Sequence, residues 1–284
     1  MAEASSPSAL PPRVRAFLSD ARSDPSRTLL ALDIDGTISE IVPTPEEAVV
    51  TPRMRGLLVR LASVYPLAFV SGRDAEVALR MVDVPGAIYV GAHGLETLDE
   101  AGLHSTLDRE AFVREAQAMA EAVRRDVPEV GPHIEMKRWG VAFHYRLLDE
   151  PALVRRLLRR VQGRLQRRMQ RRLQRVQRHL PFGLKVRHGK KVVEVVPDVP
   201  ADKGSALLGL LERLAPRRVL VMGDDRTDVA AFRALGEQAG QEISFLRVAV
   251  LGSDEPPPEL LASADYQVRG VGETYDLLSQ LLDD

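Results

Sequence analysis

Two carboxylates stand two residues apart in the run Asp33-Ile34-Asp35-Gly36-Thr37, where an apolar stretch ends. Such a pair can divide labour: one attacks an electrophile and ligates a metal, while the other handles protons. A capping Asp before a turn Gly would read the same way, so the pair alone carries little weight. Three further segment ends carry groups of the types this chemistry needs. Ser71-Gly72-Arg73 offers a hydroxyl and backbone N–H groups that can hold a phosphate oxygen. Lys203 opens a helix after Pro200-Ala201-Asp202, where the helix dipole and an ammonium together favour an anion. Gly223-Asp224-Asp225, with Asp228 one turn on, adds carboxylate oxygens. In a chain without cysteine that donor set suits Mg²⁺.

These residues need elements to position them. Residues 28–37 read as a buried strand ending in a loop, 67–73 as a second and 87–94 as a third, with helices expected over 52–64 and 74–82. Strands alternating with helices, with polar loops after the strands, give a parallel α/β sheet. Past residue 105 the pattern changes. A helix over 107–127 precedes a hairpin over 133–146 turning near Arg138–Gly140. A long helix over 151–180 precedes a second hairpin over 184–197 turning at His188–Gly189. From 202 the first pattern returns: helix 203–214, strand 218–225, helix 227–235, strands 244–251 and 265–269, and helix 272–282. The fold class expected is α/β: a Rossmann-like core, residues 27–104 and 199–284, interrupted by an inserted α+β cap over 105–198. Residues 1–26 read as a leader with a short helical piece near Val14–Ala21.

The 284 residues leave ample length for a core, and 45% hydrophobic content excludes bulk disorder. Without cysteine, disulfides, thiol nucleophiles and thiolate-bound zinc are excluded. No apolar run approaches the roughly 18 residues of a membrane span, and the N-terminus lacks signal-peptide features, so a cytoplasmic protein is expected. The 39 basic and 40 acidic residues nearly cancel, which gives no global field for nucleic acid. Only five basic residues are Lys (137, 185, 190, 191 and 203), and a position that keeps Lys amid so much Arg is one that needs a compact ammonium. Residues 151–180 hold eleven Arg and one His, but apolar residues at 154, 157, 158, 161, 165, 169, 173, 176 and 180 form one stripe. That is a packed helix with a solvated face rather than a nucleic-acid or membrane element, with outward arginines such as Arg160, Arg164 and Arg171 free to draw in an anion.

The order of motifs resembles the haloacid dehalogenase superfamily and, more narrowly, its trehalose-6-phosphate phosphatase family. The likeness covers nearly the whole chain: LDIDGT, VSGR, GAHG (91–94), Glu135-Met136-Lys137, His144-Tyr145-Arg146, GKKVVEV (189–195), DKG (202–204) and GDDRTD (223–228). It implies that Asp33 is the nucleophile forming an aspartyl-phosphate, and that Asp35 protonates the leaving sugar oxygen and then activates water. It implies Mg²⁺ on the Asp33 side chain, the Asp35 carbonyl and Asp224, with Asp225 or Asp228 helping, and Ser71 and Lys203 on the phosphoryl group. Glu135, Lys137, Arg146, Lys190 and Glu194 in the cap, with Arg73 and His93 in the core, would bind the sugar phosphate. Val229 departs from the pattern, since the family usually shows an acid there.

The activity implied is Mg²⁺-dependent hydrolysis of trehalose 6-phosphate by a monomer, with no specific nucleic acid and no membrane as partner. Rivals are the same chemistry on sucrose phosphate or glucosylglycerol phosphate, and a non-catalytic regulatory protein on the same fold. Arg187-His188-Gly189 spells the signature of histidine phosphatases, but it sits in a hairpin far from the N-terminus. His104, His133 and His179 show no metal-ligand spacing.

Overall fold

The computed structural model describes residues 10–42, 47–105, 107–144, 155–164, 183–189, 192–238, 243–252 and 256–282. In chain order it begins with α1 (Pro12–Ser23), β1 (Thr28–Leu32), α2 (Pro52–Ala62), β2 (Leu67–Val70), α3 (Ala75–Val82), β3 (Ile88–Gly91), β4 (Glu96–Asp99) and β5 (Gly102–Ser105). Then come α4 (Arg109–Asp126), β6 (Ile134–Lys137), β7 (Gly140–His144), helix α5 over 155–164, β8 (Gly183–Gly189) and β9 (Val192–Asp198). The last segment is α6 (Lys203–Leu214), β10 (Arg218–Gly223), α7 (Asp228–Glu237), β11 (Ser244–Leu251), α8 (Pro258–Ser263), β12 (Tyr266–Arg269) and α9 (Gly270–Ser279). The chain divides into two compact units, one with residues up to His104 and from Ala201 on, the other Ser105–Pro200. No described helix is long and apolar enough to cross a membrane.

The first unit is an eight-stranded sheet in the order β12-β11-β10-β1-β2-β3-β4-β5. The pairs from β12 to β3 are parallel, and β4 joins β3 antiparallel. Strand β1 is buried along its length, and alternation sends its side chains to two cores. Leu30 and Leu32 face one, with α1, α2, α3 and α9; Leu29 and Ala31 face the other, with α6, α7 and α8. Helix α1 contributes Val14, Phe17, Leu18 and Ala21 to the first core. The strand order reverses between β1 and β10, so the carboxyl ends of these two strands form the crevice where open α/β sheets bind ligands. This is the Rossmann-like α/β architecture expected. The β4 and β5 strands and the short α8 were not foreseen; the first strand is trimmed to Thr28–Leu32, and the last helix starts and ends earlier than expected, at Gly270–Ser279.

The second unit holds a four-stranded antiparallel sheet, β6-β7-β9-β8. Val141, Phe143, Val193 and Val195 form its buried face, and α4 packs on β7 with Phe112 5.7 Å from the Trp139 ring. In α5, Leu157 and Val161 are buried, as the apolar stripe requires. Its arginines correct one expectation. Arg160 pairs with Asp126 of α4 and Arg164 donates to the Ala118 carbonyl at 3.2 Å, so neither is a free outward charge. Strand β8 runs through His188 to Gly189, so the second turn falls beyond the His188–Gly189 position expected. Residues 165–180, with Arg171, lie outside the described residues, as do residues 1–9.

Away from the crevice, Asp265 ties the edge of the sheet to its neighbours. Arg247 grips both its oxygens, at 2.9 and 3.0 Å, its backbone N–H donates at 3.0 Å, and Arg13 adds a contact at 2.9 Å. Burial alone would raise this carboxyl, but these donors outweigh it and hold Asp265 below the ordinary carboxylate range. A depressed carboxyl contributes stability that is present above its unfolded value and lost as pH falls through its folded value. Asp265→Asn is therefore expected to cost about 1.5–3 kcal/mol at neutral pH, because Arg247 loses its charged partner. Urea midpoints should show that gap closing as pH falls towards 3, as wild type loses the same interaction. A gap that stays constant with pH would contradict this account.

Candidate active site

Asp33 follows the last residue of β1, and its N–H continues the ladder to the Met222 carbonyl at 3.0 Å. The chain then turns on Ile34, whose carbonyl accepts from the N–H groups of Ile38 and Ser39 at 3.0 Å each. Gly36 is required here twice over. Its φ is +83°, and a Cβ would come within 2.0 Å of the Asp224 carboxylate. On the facing strand, Gly223 ends β10, and Asp228 begins α7. The Oδ2 of Asp228 accepts from the N–H groups of Asp224 and Asp225 at 3.1 Å each, which fixes the loop between strand and helix. Asp225 turns its own carboxylate to Thr227, whose N–H and hydroxyl donate at 2.7 and 2.6 Å.

Lys203 is the first residue of α6, set by a capping box between Asp202 and Ser205. Its ammonium is 3% exposed and donates to Asp33 at 2.6 Å and to Asp228 at 2.7 Å. The position therefore needs a compact donor reaching two buried carboxylates, as the scarcity of Lys suggests. Carboxylate oxygens of Asp33, Asp224 and Asp228 lie within 4.8 Å of one another. Burial pushes the Asp33 carboxyl up to about 7 against the pull of Lys203, and Asp224 and Asp225 add to the rise. Burial, with Asp228 and Asp225, takes Asp224 to about 7 as well. Burial pulls Lys203 down, but Asp228 and Asp33 more than offset it and keep the ammonium charged.

One ammonium among two buried carboxylates and a third that is partly buried leaves an excess of negative charge. A hard divalent cation relieves that excess, and an all-oxygen donor set fits it. Of the residues expected to take part, Asp33, Asp224 and Asp228 are the ones grouped this closely among the described residues.

Asp35 lies on the turn two residues after Asp33, its side chain 37% exposed. Arg73 takes both of its oxygens, Nε donating to Oδ2 and Nη2 to Oδ1 at 2.7 Å each. Ser71, at the end of β2, is buried, and its hydroxyl accepts from the Arg73 N–H at 3.1 Å. His93 sits in the left-handed region at φ 57°, its N–H donating to the Ser71 carbonyl at 3.0 Å and its ring packed on Gly72. Glu96 had no local signal in the sequence. It is a buried carboxylate that accepts from the Ala75 N–H at 3.1 Å and so caps α3 from a distant strand.

In the second unit, register places Glu135, Ala142 and Glu194 opposite one another across β6, β7 and β9. Lys137 is hydrogen-bonded to Glu194, and the His144 ring meets Glu135 at 2.9 Å. Three of the five cap residues expected to bind substrate thus share one polar sheet face, opposite the buried valines. Arg146 and Lys190 lie outside the described residues.

The chain matches the trehalose-phosphatase family over residues 31–265. A trehalose-phosphate phosphatase of Mycobacterium tuberculosis is 36% identical over 216 residues, 72% of this chain and 50% of that protein. One of Mycobacterium marinum is 34% identical over 224 residues, 74% of this chain and 52% of that protein. The chain thus spans about half the length of the curated relatives it matches. Among solved structures, a trehalose-6-phosphate phosphatase of Aspergillus fumigatus superposes with a TM-score of 0.65 at 22% identity, covering 94% of this chain and 96% of that one. At that identity the likeness speaks for the fold.

Proposed function

Since the chain belongs to the trehalose-phosphatase family, we propose that it hydrolyses trehalose 6-phosphate to trehalose and phosphate. The observation that carries this reading is the buried Asp33 at the end of β1, bonded to Lys203 at 2.6 Å and grouped with Asp224 and Asp228. A side-chain oxygen of Asp33 attacks phosphorus, the bond from phosphorus to the sugar oxygen breaks, and Asp35 gives that oxygen its proton. Water then attacks the aspartyl-phosphate and yields its proton to Asp35, while the bond from phosphorus to Asp33 breaks and phosphate leaves. Lys203 offsets charge on the transferring group, and Ser71 and the N–H groups of its loop supply further donors. Asp33 and Asp224, with Asp228, would hold Mg²⁺. When bound, the ion neutralises phosphoryl oxygens and makes attack by an anionic carboxylate feasible. The polar sheet face with Glu135, Lys137 and Glu194 would read the sugar. Carboxylates accept from hydroxyls, and a sugar whose hydroxyls fall elsewhere forgoes those bonds.

Phosphate release across a panel of sugar phosphates tests this, with Mg²⁺ and with EDTA. We expect trehalose 6-phosphate to lead the panel and EDTA to silence it. Glu194→Ala and Glu135→Ala should each lower kcat/KM for trehalose 6-phosphate about 10- to 150-fold, equivalent to roughly 1.5–3 kcal/mol. Both should affect a small aryl phosphate far less. A tenfold preference for another sugar phosphate would refute the substrate and keep the chemistry. No turnover of any phosphate would favour the regulatory rival.

A further inference from the structure

We infer that Arg73 is a positioning residue for Asp35, rather than the direct holder of substrate that its motif suggests. The inference rests on the reading of Asp35 as the proton-transferring group. Asp35 comes from a turn and is 37% exposed, so a carboxylate there is free to rotate about its last torsion. The two parallel bonds from Arg73 remove that freedom and fix the carboxylate plane.

A clamp is useful only if it is itself held. Arg73 is 17% exposed, and its backbone is tied at both ends. Its N–H donates to Ser71 Oγ at 3.1 Å and its carbonyl accepts from the Ala92 N–H at 2.7 Å. Two residues on, Ala75 is fixed by buried Glu96. Gly91 lets the end of β3 approach so closely that a Cβ there would stand 2.2 Å from the Ala75 nitrogen. The loop bearing Arg73 is thereby fastened to the sheet, and rigidity passes from β3 and β4 through the guanidinium to a carboxylate that its own turn leaves exposed.

The consequence is specific to the leaving group. Expelling a sugar alkoxide needs a proton from a correctly aimed acid, whereas expelling an aryl oxide with a low pKa does not. Misplacing such a group by about 1 Å can cost on the order of 100-fold. The test is the first-turnover release of trehalose from trehalose 6-phosphate and of nitrophenolate from its aryl phosphate. Wild type, Arg73→Ala, Arg73→Lys and Asp35→Asn would be compared, all with Mg²⁺. Arg73→Ala should lose at least 30-fold more on the sugar than on the aryl substrate, with KM for the sugar phosphate moving less than threefold. Arg73→Lys should recover little, because an ammonium cannot make the parallel pair, while added methylguanidinium should partly restore Arg73→Ala. Adding Arg73→Ala to Asp35→Asn should change the sugar rate less than threefold, since the clamp acts through the group already removed.

A rise of tenfold or more in KM with kcat kept would make Arg73 a substrate contact and overturn the inference. Equal losses on both substrates would overturn it in favour of a general structural role. If Asp35→Asn itself shows no leaving-group dependence, the reading of Asp35 fails and the inference falls with it.

Discussion

Asp33→Asn is expected to lower turnover by about 10⁴-fold or more and to leave the chain folded, because an amide is neither a competent nucleophile nor a good ligand for a hard cation. The stability arm of this experiment has a definite sign. Asp33 is raised from 3.8 to about 7 chiefly by burial. A raised carboxyl contributes stability below its unfolded value, and that contribution is lost as pH rises through its folded value. In metal-free protein at pH 8, ionised Asp33 therefore weakens the fold, and the neutral isostere should melt no lower than wild type. Activity within tenfold of wild type would remove Asp33 from the chemistry. A melting temperature more than about 5 °C lower, roughly 1.5–2.5 kcal/mol, would show that the bond to Lys203 outweighs the cost of burial. His188→Ala should retain activity. A dead His188 variant beside a live Asp33→Asn would reinstate the histidine-phosphatase reading.

The second large effect is expected at Lys203. Removing its side chain leaves Asp33 and Asp228 buried with no ammonium between them, which should cost about 3–5 kcal/mol. Turnover should fall by about 10²- to 10³-fold or more, as one preorganised charge is lost from the transferring phosphoryl group. Since Lys203→Met could fail to fold, Lys203→Arg separates the causes. It keeps the charge, but a planar fork does not seat where one compact nitrogen bonds two carboxylates at 2.6 and 2.7 Å. We expect folded, inactive protein by circular dichroism and phosphate release. Arg at position 203 with activity within tenfold of wild type would defeat the argument from lysine scarcity. In the Lys203→Met background, Asp228→Asn should recover part of the lost stability.

The parallel core was legible because both of its signals are local. Runs such as Leu29–Leu32 and Leu67–Val70 are apolar on both faces, and each stops at a polar loop. The candidate site was legible because Asp33, Ser71 and Asp224 fall at such stops and Lys203 at a helix start. What escaped was non-local or low in contrast. Strands β4 and β5 carry no apolar run, although the turn Glu100-Ala101-Gly102, with Gly102 at φ +108°, marked them. The pairing of Arg73 with Asp35 spans 38 residues, and nothing local to Ser-Gly-Arg announces that partner. The inward course of Arg160 and Arg164 depended on acids and carbonyls of another helix, which periodicity within one helix does not reveal.

The order of the strands also sets a timetable. β1 pairs on one side with β2, one loop and one helix away, but on the other with β10, Thr28 lying opposite Arg218. Asp33 meets its ammonium 170 residues further along the chain. At ribosomal rates of about 5–20 residues per second, that separation is roughly 10–35 s. Over that interval a nascent chain carries Asp33 with an open strand edge beside it, while the sheet of β6, β7, β8 and β9 can close from residues already made. A product released before residue 203 has Asp33 and Asp35 but lacks Lys203, Asp224 and Asp228. Assembly of the carboxylate and ammonium cluster and completion of the central sheet therefore arrive together, late in synthesis.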